Sequence, residues 1–88
     1  MANYLLLFKS LTSAQRAEKV LKYKGIPAKI SRVPGEIPTN GCTYCIKIDE
    51  SVLKRSLTAL NNAELSPTKI FAWFGEGKFK RYVNDLPG

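Results

Sequence analysis

Residues 39–62 read TNGCTYCIKIDESVLKRSLTALNN. Within this stretch the apolar period changes at Asp49, with no linker between. Before it, Tyr44, Ile46 and Ile48 alternate with Thr43, Cys45 and Lys47, as the two faces of a strand do. After it, Val52, Leu53, Ser56, Leu57 and Leu60 fall on one side of a helix, with Asp49 as its N-cap and Asn61 and Asn62 favouring its end. A strand beginning at Cys42 or Thr43 therefore runs straight into a helix, and its Tyr44–Ile46–Ile48 face is expected to meet that helix.

Upstream, residues 4–9 (YLLLFK) form a strand that is apolar on both faces, as a covered central strand is. A helix follows, with Thr12 as its cap and Gln15 completing a capping box. Ala14, Ala17, Val20 and Leu21 form its buried stripe, and Gly25 stops it. Residues 28–33 make a second strand, and PGEIPTNG at 34–41 a turn-rich loop stiffened by two prolines. Beyond Pro67, residues 68–74 read as a strand, 75–77 as a turn and 78–83 as a short final strand. Right-handed crossovers put both helices on one side of a mainly antiparallel sheet. The expected fold is an α/β two-layer sandwich, a ferredoxin-like βαββαβ arrangement with an additional C-terminal strand, occupying residues 1–88 as a single domain. Leu5, Leu7, Ile30, Ile46 and Ile48 are expected beneath the helices, although Leu6 and Phe8 give the first strand a second apolar face.

The 88 residues carry 14 Lys and Arg against 7 Asp and Glu, a net charge of +7, which favours anionic partners without choosing among them. No histidine is present, which removes the usual neutral-pH base, a common zinc ligand and any Cys/His dyad within one chain. Asp49 and Glu50 read as a cap and a first-turn acid, not as a catalytic pair. No apolar run is long enough to cross a membrane, and no basic segment precedes the apolar N-terminal residues as in an export signal. The expected compartment is the reducing cytoplasm, where a structural disulfide is disfavoured.

Cys42 and Cys45 are the only cysteines. A CxxC pair at a helix N-terminus is a familiar redox centre, but here the surrounding pattern is that of a strand. Alternation would set the two sulfurs on opposite faces unless a turn or bulge intervenes. Cys42, at the loop boundary, is the one expected to be accessible. Two cysteines do not complete a tetrahedral zinc site, and no metal or other cofactor is expected. Lys47, with Lys9, Lys29 or Arg32 from adjacent strands, would stabilise a thiolate; as plain surface lysines they would keep an edge soluble.

The stretches YLLLFKS (4–10), AEKVLKYKGIPAKI (17–30) and Pro34–x–x–Ile37, with Cys42 five residues on, then a strand and a second helix, resemble a family of small bacterial domains described as selenium/sulfur carrier-protein-like. The family's cysteine follows a Ser- or Gly-rich turn and maps onto Cys42. Thr43 stands where the family commonly has glycine, and Cys45 and the FGEGKFKRYV tail are this chain's own departures. The resemblance implies a non-enzymatic carrier with Cys42 as its sulfur- or selenium-bearing thiol and donor and acceptor proteins as partners. Cys45 is then a resolving or a structural thiol, and Lys47 gives electrostatic support.

Two other classes compete. Lys19, Lys22, Lys24, Lys29 and Arg32, and then Lys78, Lys80 and Arg81 with Phe79 and Tyr82, suit a nucleic-acid-binding module. Phe71, Trp73, Phe79 and Tyr82 suit a regulatory or assembly domain that forms a homo-oligomer over the helix-free sheet face.

Overall fold

The computed structural model describes residues 3–35, 37, 41–75 and 78–82, the last strand as backbone only. The elements run β1 (Asn3–Phe8), α1 (Leu11–Tyr23), β2 (Ile30–Arg32), β3 (Tyr44–Asp49), α2 (Leu53–Asn62), β4 (Lys69–Gly75) and β5 (Lys78–Tyr82), with one 3-10 turn, Glu50–Val52, leading into α2. The sheet order is β2-β3-β1-β4-β5 and all neighbours are antiparallel. This is the ferredoxin-like two-layer sandwich with an extra strand beyond β4. Residues 76–77 of the expected 75–77 turn and residue 83 of the expected final strand lie outside the described residues, while β4 and β5 pair on either side of the turn.

Both helices bury their apolar stripes on one sheet face. Ala14, Ala17, Leu21, Leu53, Leu57 and Leu60 pack with Ile46 and Ile48 of β3, Ile70 of β4, and Leu6 and Phe8 of β1. Leu5 and Leu7, expected under the helices, lie on the opposite face. The reason is register: Leu6 stands opposite Ile46, and Leu7 opposite Cys45, so β1 follows the parity that β3 imposes.

Helix boundaries are set by local hydrogen bonds. Ser10, not Thr12, caps α1: its Oγ accepts from the Ser13 amide at 3.1 Å and donates to Ser13 Oγ at 3.0 Å. The chain ends α1 in a Schellman turn, where the Ile26 amide donates to Leu21 O and the Gly25 amide to Lys22 O. Gly25 has φ +77°, and Ile26 closes the motif by packing with Leu21 in the core. Helix α2 ends the same way, Leu65 donating to Leu60 O, but with Glu64 at φ 59°. Asp49 caps the 3-10 turn that leads into α2: its carboxylate accepts from the Ser51 hydroxyl and amide, which holds its pKa below the usual value. At the buried heart of α2, Ser56 Oγ donates to Val52 O at 2.7 Å, so its hydroxyl costs the core little.

Strand β2 is shorter than the alternation of 28–33 suggested, and β3 starts at Tyr44 instead of Cys42 or Thr43. One further backbone bond, from the Val33 amide to Thr43 O at 3.1 Å, extends their ladder. Cys42 lies between these two residues, and Cys45 follows within β3.

Candidate functional site

The loop that leaves the sheet after Val33 turns at once, the Ile37 amide donating to Pro34 O at 3.1 Å. It returns through Gly41, whose φ of +96° is disfavoured for residues with a Cβ. A Cβ there would meet no atom within 4 Å, so backbone conformation alone favours glycine at this point. Between these two bends Ile37 and Cys42 come down on the helix-free face of the sheet. They pack with Leu5 and Leu7 of β1, Cys45 of β3 and Phe71 of β4, with Val33 and Trp73 at the margin. The result is a second, smaller apolar cluster that uses one chain only.

Cys42 is therefore 2% exposed and Cys45 0%. The accessible Cys42 expected from the sequence is instead covered. The two sulfurs also do not diverge to opposite faces, because Cys42 precedes β3 and escapes the alternation that governs Tyr44 onward. Both thiols are free.

Cys45 sits mid-sheet, opposite Leu7 on one side and Ser31 on the other. Its Sγ lies 3.5 Å from Ser31 Oγ and donates to Arg32 O at 3.8 Å. Burial pushes the thiol pKa above the ordinary 9.0, and the Ser31 hydroxyl offsets only part of that rise. Cys45 is thus held as the neutral S–H, with a carbonyl to receive its proton. Lys47 follows two residues later, opposite Leu5 and exposed. The basic residues beside it leave desolvation as the largest influence on the Cys45 thiol.

Phe71 is 3% exposed beneath this cluster, while Phe74, at 57%, is the exposed aromatic of β4. Among the described residues no group of three or more His, Cys, Asp or Glu is arranged to hold a metal ion, and no helix is long and apolar enough to cross a membrane. What sequence reasoning missed was Ile37. Its apolar character between two prolines was the one available sign that the loop folds inward.

Over residues 3–72 the chain matches the family described as "Putative Se/S carrier protein-like", and it belongs to that family. The matched span contains β1, both helices, the loop and both cysteines, and ends within β4. No curated protein and no solved structure matches the chain.

Proposed function

We propose, from membership of that family and from the covered thiol cluster, that the protein is a non-enzymatic carrier of sulfur or selenium on Cys42. The observation that carries the reading is Cys42 itself: a free thiol on the loop side of β3, 2% exposed, inside an apolar cluster. A persulfide is attacked by water-borne oxidants and free thiols, so a carrier benefits from a dry chamber with a movable wall.

In loading, Cys42 gives up its proton to solvent and its thiolate attacks the outer sulfur of a donor persulfide, R–S–SH. A bond forms between Cys42 Sγ and that sulfur. The donor S–S bond breaks, R–S⁻ leaves with the electron pair, and Cys42–S–SH remains. Delivery to an acceptor thiolate reverses the roles, and selenium follows the same balance from R–S–SeH. Cys45, fully buried and held protonated by that burial, serves as a structural thiol lining the chamber, so the adduct on Cys42 persists until an acceptor arrives. Lys47, exposed near this face, supports the anions electrostatically.

Intact-protein mass spectrometry after exposure to a low-molecular-weight persulfide donor tests this. The native chain and Cys45→Ser are expected to gain the mass of one sulfur atom, and Cys42→Ser to gain none. A native mass unchanged where a known thiol carrier becomes charged rejects the reading. Charging that persists in Cys42→Ser but vanishes in Cys45→Ser moves the carrier role to the other sulfur.

A further inference from the structure

On the helix side of the sheet, away from both cysteines, a groove of about 350 Å³ lies between the end of α1 and the outer face of α2. One wall is the Schellman turn with Lys24 and Ile26; the other is α2, contributing Lys54, Arg55, Thr58 and Asn62. Among the described residues no acidic side chain lines it. Arg55 Nη2 donates to Lys24 O at 3.3 Å, which ties the guanidinium across the groove and leaves its other N–H groups to donate elsewhere. None of the three cations has an ion-pair partner among the described residues, whereas Lys22, two residues before Lys24, is paired with Glu18 at 3.7 Å.

Three unneutralised cations around one concavity repel one another, and an anion placed among them relieves that cost while meeting a preset donor. Arginine's fork suits the oxygens of a phosphate, and two ammonium groups add charge without demanding one geometry. The volume is at the lower end of the range for small-molecule sites. Thr58 and Asn62, one turn apart along α2, offer neutral donors and acceptors beyond the cations, and Ile26 an apolar patch.

We infer that this groove binds the phosphate group of a small phosphate ester of mononucleotide size. The phosphate lies among Lys24, Lys54 and Arg55, and the organic portion extends along α2 toward Thr58 and Asn62. A nucleic-acid backbone offers the same chemistry, but the unneutralised cations here surround one concavity, which suits a compact ligand more than a strand.

The test is a titration of the full chain, followed by amide chemical shifts, with inorganic phosphate, with adenosine monophosphate and with a short single-stranded RNA. Chloride at matched ionic strength is the reference. Both phosphate probes are expected to shift residues 24–26 and 54–62 as a set, the nucleotide at lower concentration. Lys54→Ala is expected to weaken nucleotide binding about tenfold, and Arg55→Lys to weaken it by a similar factor through loss of the fork. The Lys54 side chain makes no hydrogen bond or ion pair among the described residues, so its variant separates binding from folding. Shifts no larger than those with chloride, or spread evenly over all lysines, overturn the proposal. RNA binding with a steep salt dependence and no response to the mononucleotide overturns it in favour of a strand-binding surface. Neither result bears on the Cys42 reading, because neither requires a thiol.

Discussion

The two cysteines differ in what their burial does. Cys45 is enclosed by three strands, and that burial raises its pKa above 9.0 in the folded protein, the Ser31 hydroxyl offsetting part of the rise. Folding then favours the protonated form. The associated stability is fully present below the unfolded thiol's pKa and is lost as pH climbs through that value toward the folded one. Thermal melts from pH 7 to 10 are therefore expected to show an alkaline decline that is shallower in Cys45→Ala. At pH 7 the same variant loses about 1 kcal/mol for the emptied sulfur volume. Identical alkaline slopes for the two proteins would show that folding leaves the thiol's proton affinity unchanged. The sequence disclosed the facing of Cys45, since strand parity fixes it from Tyr44 and Ile46. It concealed the burial of Cys42, which depends on a loop returning across the sheet and on Ile37, contacts distant in sequence from either.

At the level of elements, periodic segments were legible and their ends less so. Helices α1 and α2 follow from apolar positions three and four apart, and each buries the side that this spacing marks. The start of α1 was misread because Thr12 and Gln15 imitate a capping box, while Ser10 has the extended backbone, φ −129° and ψ 155°, that a cap requires. This distinction gives variants of opposite sign. Ser10→Ala is expected to cost about 1 kcal/mol in urea unfolding. Thr12→Ala, in the exposed first turn, is expected to be neutral or to stabilise by up to about 0.5 kcal/mol. The reverse ranking would restore Thr12 as the cap. For β1, apolar residues on both sides left its facing undecided, because a strand that supports one core above and another below shows no alternation.

For the molecule as a whole, the sheet separates two unequal cores, and the smaller one is covered by Ile37 and Cys42, which lie outside the strands. The Val33–Thr43 bond closes the ladder beside them, the Ile37 amide bonds Pro34 O, and Ile37 is itself 2% exposed. Lifting Ile37 off the sheet would expose roughly one aliphatic side chain, a cost of about 2 kcal/mol, which corresponds to an open fraction of about one in thirty. Alkylation of Cys42 is expected to run slower than in the unfolded chain by about that factor, still far faster than global unfolding allows, and Ile37→Ala to accelerate it about tenfold while lowering global stability by about 1.4 kcal/mol. Rates that track global unfolding in both proteins would show instead that the loop never opens alone. If the protein carries sulfur on Cys42 as proposed, the cover that Ile37 provides would act as a clock shared by loading and leakage. A free thiol in solution would wait for each rare opening, whereas a partner that held Ile37 off the sheet would gain up to the inverse of the open fraction. Discrimination between partner and bystander would then reside in the opening step, with no difference required in the sulfur chemistry that follows.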